Sequence, residues 1–161
     1  MKVKRMLWGA YLAPLALAVD RATKVWAQKA DLPREVLPGI LQFTYVKNTG
    51  AAFSAFSGKT AWVTAVSVIL VLLVLGYLAF GKNVHKCTRL GLWLIVAGGL
   101  GNLYDRLALG YVVDFIEVLF VRFAIFNFAD ICVCCGAVLA AVGFVLAEKR
   151  EKEGNGVGGA N

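Results

Sequence analysis

Four stretches of the chain are almost continuously apolar, and the polar residues inside them are few enough to name. Residues 60–81 carry no charge, and neither do residues 90–104, which lead into Asp105 and Arg106. Residues 6–28 are interrupted by Asp20, Arg21 and Lys24, and residues 123–147 carry only Asp130. A helix rises 1.5 Å per residue and needs about 20 residues to cross the hydrocarbon of a bilayer. The pattern predicts four membrane spans, at about 6–28, 60–81, 89–107 and 124–147. The third reaches the length only by running through Asp105 and Arg106. The first and fourth reach it only if their charged residues lie near one membrane face.

Elsewhere the period changes. In residues 40–47, "ILQFTYVK", Leu41, Phe43 and Tyr45 alternate with Gln42, Thr44 and Lys47, and Val46 breaks the polar face. This is a half-buried strand pattern. Pro38-Gly39 before it and Asn48-Thr49-Gly50 after it are turn chemistry, so a β region is expected at about 36–55. In residues 112–122, "VVDFIEVLFVR", the spacing of Asp114, Glu117 and Arg122 predicts a helix lying on the membrane surface. The end of the chain, 151–161, is rich in charge, Gly and Asn and is expected to be a disordered cytoplasmic tail. Residues 1–150 then form one domain.

Composition strengthens the membrane reading. The chain has 161 residues, 60% hydrophobic and 17% charged, with a mean hydropathy of +0.72, against about 45–50% apolar and 25% charged in soluble domains. The net charge of +7 would suggest nucleic acid in a soluble protein; here it reads as cytoplasmic anchoring of helices. Lys2, Lys4, Arg5, Lys82, Lys86, Arg89, Lys149, Arg150 and Lys152 would share one side. Lys29, Arg34, Lys47, Lys59, Arg106 and Arg122 lie on the other. The excess puts both termini in the cytoplasm. Residues 1–18 also resemble a secretory signal ending in Ala16-x-Ala18, but the apolar character resumes after Lys24 and three spans follow. Cys87, Cys132, Cys134 and Cys135 have no zinc or redox spacing and read as small hydrophobes.

A charged side chain at mid-membrane costs about 2.5–3.5 kcal/mol on insertion scales, so the polar residues of the spans need an explanation. They are Asp20, Lys24, Asn102, Asp105, Arg106, Asn127 and Asp130, and in a four-span topology all fall toward the extracytoplasmic ends. Asp114 and Asn48 belong to the same layer. Each has an ordinary structural reading. Asp20 and Lys24 are an i,i+4 pair. Asn102, Asp105 and Arg106 share a helix face, where Arg106 can neutralise Asp105. Asn127 and Asp130 fit a helix start, with Asn as N-cap and Asp at N3 reaching back. Small residues Ala97, Gly98, Gly99 and Gly101 allow another helix to approach closely.

Taken together, the layer suits acid–base chemistry. Two carboxylates in a low-dielectric site share a proton, so one can activate a water while the other polarises a carbonyl or protonates a leaving group. Asp114 and Asp130 both border the outer interface and are the candidates. A metal site or a Cys nucleophile would want a histidine, and the sole one, His85, lies in the basic loop on the opposite side. A Ser–Lys arrangement with Ser54 or Ser57 and Lys59 has nothing to desolvate the lysine. A transporter is the main non-catalytic rival, but the second span has no charge and no internal repeat is visible.

Four segments, "DRATK" (20–24), "KNTGAAF" (47–53), "GGLGNLYDRLALGYVVDFI" (98–116) and "FNFAD" (126–130), resemble the signature boxes of lipoprotein signal peptidase, or signal peptidase II. The resemblance implies an all-α membrane protein: four transmembrane helices with a small extracytoplasmic β-cradle at 36–55 and an interfacial helix at 112–122 over the site. It implies an aspartic endopeptidase of the bacterial inner membrane. Such an enzyme removes signal peptides from diacylglyceryl-modified prolipoproteins, cutting N-terminal to the lipidated Cys. By the same resemblance, Asp114 and Asp130 are the catalytic pair, and Asn48, Asn102, Arg106 and Asn127 line the substrate site. Asp20, Lys24, Gly50 and Asp105 support it. No cofactor, metal or nucleic acid is implied. The expected partners are the lipidated signal peptides, membrane lipids and globomycin-type inhibitors, and the expected state is a monomer.

Overall fold

The structure, a computed structural model, describes residues 7–50 and 60–157. Lys2, Lys4, Arg5, Ser54, Ser57, Lys59 and the 51–55 end of the expected β region lie outside the described residues. Four long helices are present, α1 (Leu12–Lys29), α2 (Thr60–Phe80), α3 (Lys86–Leu109) and α4 (Phe128–Val157). Three strands, β1 (Arg34–Leu37), β2 (Leu41–Asn48) and β3 (Val112–Val118), form an antiparallel sheet in the order β1-β2-β3. α2 and the Phe128–Arg150 part of α4 are long and apolar enough to cross a membrane, with mean hydropathies of 2.7 and 2.3. Much of α2 is unpartnered: Leu70, Leu72 and Leu73 are all exposed. A helix hydrophobic all round with exposed leucines suits lipid as its surroundings.

Helix boundaries follow from local chemistry. α1 begins at Leu12 rather than near residue 6, because Gly9 takes a positive φ of 86° and the preceding residues are turns. Pro14 then sits in the first turn, where its missing N–H costs nothing. α3 does run through Asp105 and Arg106. It is capped at its start by His85, whose Nδ1 accepts from the Cys87 N–H at 3.2 Å, and stopped at Gly110 in the left-handed region. α4 continues past residue 150 to Val157, so the expected disordered tail is helical over its first part. Its Lys152 pairs with Glu148 one turn earlier at 2.6 Å, an i,i+4 pair that favours helix.

The expected interfacial helix at 112–122 is instead strand β3 followed by a turn, and it enlarges the small β region expected beside the helices. Val112, Val113, Asp114 and Phe115 are all buried. β3 pairs with β2 along one edge, and its Ile116 pairs with Phe126 along the other. Such a doubly flanked, β-branched run is what a buried strand looks like; the acid spacing imitated a helix. Alternation sends Val113 and Phe115 against Ala27 of α1 and leaves Asp114 between them to face elsewhere. Strand β2 forms where the sequence pattern places it, though nearly all of it is half-buried and burial does not alternate. The turn before it forms at Pro38-Gly39, with Gly39 at φ 68° and the Ile40 N–H bonded to Leu37 O at 3.0 Å.

α3 is the hub, packing on α1, α2 and α4. Its glycines face different neighbours. A methyl group at Gly98 would run into the Ala129 carbonyl of α4, at Gly99 into Val71 of α2, and at Gly101 into the Asp20 carboxylate of α1, 2.6 Å away. Gly91 of α3 and Gly136 of α4 likewise meet backbone to backbone. Gly98→Ala is therefore expected to lower unfolding stability in detergent micelles by about 1–3 kcal/mol, the usual cost of overpacking. Gly76→Ala, which has open space around it, is expected not to lower it. A Gly98→Ala protein as stable as the parent would show that the α3–α4 approach is looser than described.

Candidate active site

The site forms where the C-terminal ends of α1 and α3 and the N-terminal end of α4 meet the sheet. Its floor is a layer of four charges. Asp20 and Lys24 of α1 pair at 3.1 Å, as their i,i+4 spacing predicts. Asp105 of α3 pairs with Lys24 at 2.9 Å and with Arg21 at 2.7 Å, and Arg21 also reaches Asp20 at 3.3 Å. Asp20, Lys24 and Asp105 are at most 1% exposed. Buried ions persist when they are paired and hydrogen-bonded, and here both carboxylates also accept from backbone N–H groups, although Arg21 Nε is buried without a partner. Asp20 Oδ1 accepts from the Ala129 N–H in the first turn of α4 at 3.1 Å. Asp105 Oδ2 accepts from the Val113 N–H of β3 at 3.2 Å.

Two expectations change. Asp105 is neutralised by Arg21 and Lys24, whereas Arg106 donates to the backbone oxygens of Gly50, at 3.3 Å, and Asn102, at 3.4 Å. Residues three or four apart share a face, but the two cations of α1 reach Asp105 first. Arg21, taken in the sequence only as a charge interrupting the first span, is part of the layer. It also stacks on the Tyr104 ring, 4.8 Å from its centroid. The signal available for it was its charge inside an apolar segment, the same signal that singled out Asp20 and Lys24.

Above this floor lie the two remaining carboxylates and three asparagines. Asn127 is the N-cap of α4. Its Oδ1 accepts from the Asp130 N–H, and the Asp130 Oδ2 accepts from the Asn127 N–H, both at 3.1 Å. This is a reciprocal capping box. The same Asn127 donates through Nδ2 to Asp114 Oδ1 at 2.7 Å and to Asn102 Oδ1 at 3.1 Å. Asn102 donates to Asp130 Oδ1 at 2.8 Å and accepts from Lys24 at 2.8 Å. Asn48, at the end of β2, donates to Asp114 Oδ2 at 2.8 Å and accepts from the Gly50 N–H at 2.9 Å. Asp114 and Asp130 are thus bridged by one asparagine. The structure brings all ten sequence-predicted residues, from Asp20 to Asp130, into one connected network. Among the described residues, no three His, Cys, Asp or Glu side chains are grouped to hold a metal ion.

Burial pushes the Asp114 carboxyl up to about 6. The donors Asn48 and Asn127 oppose that rise, and the nearby charge of Asp130 adds to it. Two acids placed together can then differ in protonation near neutrality. Between the unfolded value near 4 and about 6, the folded chain holds a proton that the unfolded chain has lost. Asp114's contribution to stability is therefore fullest below pH about 4 and is lost as pH rises through 6. In pH-difference infrared spectra, a protonated-carboxyl band is expected to vanish with a midpoint near 6 and to be missing from Asp114→Asn. A band that titrates near 4 would mean that Asp114 is solvated.

A family model described as signal peptidase (SPase) II matches residues 12–146. A lipoprotein signal peptidase of Trichormus variabilis is 45% identical over 139 residues, covering 83% of this chain and 85% of the relative. Lipoprotein signal peptidases of Gloeobacter violaceus and Clostridium acetobutylicum are 36% and 35% identical, covering 89% and 87% of this chain and 84% and 94% of the relatives. The fold is similar to that of a bacterial membrane enzyme solved by the in meso method, with a TM-score of 0.79 at 28% identity, over 90% of this chain and 92% of that one. A second such structure gives 0.73 at 29% identity, over 84% and 91%. Motif boxes, fold and relatives agree: the chain belongs to the signal peptidase II family.

Proposed function

We propose that the protein is a membrane aspartic endopeptidase that removes signal peptides from diacylglyceryl-modified bacterial prolipoproteins, cutting N-terminal to the lipidated Cys. The observation that carries this reading is the Asp114–Asn127–Asp130 bridge, two carboxylates held by one asparagine where α4 begins, one through its side-chain amide and one through its backbone N–H. In the proposed reaction the ionised carboxylate takes a proton from water, which attacks the scissile carbonyl. The protonated carboxyl polarises that carbonyl and then gives its proton to the departing amine of the lipidated Cys. Asn48, Asn102, Arg106 and Asn127 hold the substrate backbone around this pair, and Asp20, Lys24, Asp105 and Gly50 keep the frame.

The depth of the site fits the substrate. A signal peptide is a hydrophobic helix, so its cleavage point lies at the outer membrane surface. It must be unwound there, and its freed backbone groups need partners; amide side chains supply them. In this reading all four long helices span the bacterial inner membrane with both termini in the cytoplasm. The protein works as a monomer, contacts membrane lipids, and is a target of globomycin-type inhibitors.

Asp114→Asn and Asp130→Asn, tested separately in membranes with normal expression, are each expected to reduce prolipoprotein cleavage by about 10²–10⁴-fold or more. Cleavage retained in either variant would sink the pair. Treatment with a chelator is expected to leave the cleavage rate unchanged; a strong loss would point to a metal centre instead.

A further inference from the structure

An asparagine amide has two ends of similar shape and opposite polarity, so what one end must meet decides what the other offers. Asn127 Oδ1 meets the Asp130 backbone N–H, and Asn48 Oδ1 meets the Gly50 backbone N–H. A backbone N–H can only donate, so both amides turn their NH2 groups to Asp114. Asn102 is oriented differently. Its Oδ1 lies 2.8 Å from the Lys24 ammonium, which also only donates. Its Nδ2 therefore faces Asp130 Oδ1, at 2.8 Å. Lys24 is 1% exposed and is gripped by Asp20 at 3.1 Å and Asp105 at 2.9 Å, so it cannot swing aside. A reversed Asn102 would press NH2 against a buried ammonium and a carbonyl oxygen against a carboxylate.

Building on the aspartate reading above, we propose that Lys24 is a positioning residue. It fixes the polarity of Asn102, so that Asn102 offers Asp130 an N–H and never a carbonyl oxygen. Among the three amides touching the carboxylates, Asn102 is the one whose oxygen is held by side chains, the Lys24 ammonium at 2.8 Å and, less closely, Asn127 Nδ2 at 3.1 Å. Asp130 stands among Lys24 from α1, Arg106 from α3 and Asp114 from β3. Both of its oxygens accept, one from Asn102 Nδ2 and one from the Asn127 N–H. Without Lys24, only the longer bond from Asn127 Nδ2, at 3.1 Å, still holds the Asn102 oxygen, and Asn102 can rotate to accept from a protonated Asp130. The protonated form then gains a bond that the intact site denies it.

The test pairs Lys24→Met with Asp20→Asn. This change keeps the net charge of the layer at zero. It also keeps a side-chain oxygen for the Ala129 N–H. In cleavage assays on a diacylglyceryl-modified peptide, kcat is expected to fall about 10–100-fold, the scale of a misplaced catalytic group, with KM unchanged. The acid limb of the pH profile is expected to move to higher pH. Asp20→Asn alone is expected not to move it upward, and Lys24→Arg is expected to return it toward the parent position. If the paired variant unfolds at the parent temperature in micelles and keeps the parent acid limb, the proposal is wrong. If that variant does not fold, Asn102→Asp decides the matter. It keeps the oxygen that Lys24 requires and the whole ion layer, and removes the N–H facing Asp130. Parental cleavage by Asn102→Asp, or a loss that appears as a raised KM, overturns the proposal; a lowered kcat at the parent KM upholds it. Failure of the aspartate reading is distinguishable, because it shows as cleavage by Asp114→Asn or Asp130→Asn. Those variants stay inactive if only the role of Lys24 is wrong.

Discussion

Two carboxylates and one ammonium withdrawn from water between α1 and α3, with the half-buried Arg21 at their edge, are the arrangement from which the rest of the site hangs. Removing each ion from solvent costs several kcal/mol even after relaxation, and the return comes from Asp20, Arg21, Lys24 and Asp105 cancelling one another at 2.7–3.3 Å. The layer does more than neutralise itself. Asp20 takes the first turn of α4 through the Ala129 N–H, and Asp105 takes the start of β3 through the Val113 N–H. Those are the two elements that carry Asp130 and Asp114. The carboxylates of the site are therefore located by other carboxylates, one shell farther in.

Backbone proximity makes this possible. Gly101 leaves room for the Asp20 carboxylate, and Gly98 lets the Ala129 carbonyl lie directly against α3. Larger residues there would hold α4 away, out of reach of Asp20. The polar layer and the close helix packing are two views of one contact, since the hydrogen bond to the Ala129 N–H needs both.

Much of this was legible in the sequence because the apolar segments leave so few polar residues to interpret. The uncharged run at 60–81 marked α2 almost to the residue, and the alternation of Leu41, Phe43 and Tyr45 marked β2. The Asn127/Asp130 cap was readable from a three-residue spacing alone. β3 was not. Its two acids lie three apart, which fits a helix, while the cause of its extended form is pairing with β2 and with Phe126, more than sixty residues before it and about ten after. Arg21 and Asp105 were likewise separated by too much chain for a local rule to join them. Asp105 beside Arg106 offered a nearer and mistaken partner. Local pattern finds which residues need a partner in a membrane; only the tertiary fold decides which partner they get.

Asn127 places a constraint on how such a chain can vary. Its oxygen starts α4, its N–H meets Asp130, and its amide nitrogen reaches Asp114 and Asn102. A substitution at this position cannot retune the carboxylates without also moving the point at which the last helix begins. Tuning of the site has to come from residues that meet the carboxylates without starting a helix, such as Asn48 and Asn102. Position 127 itself is held by helix geometry and chemistry at once.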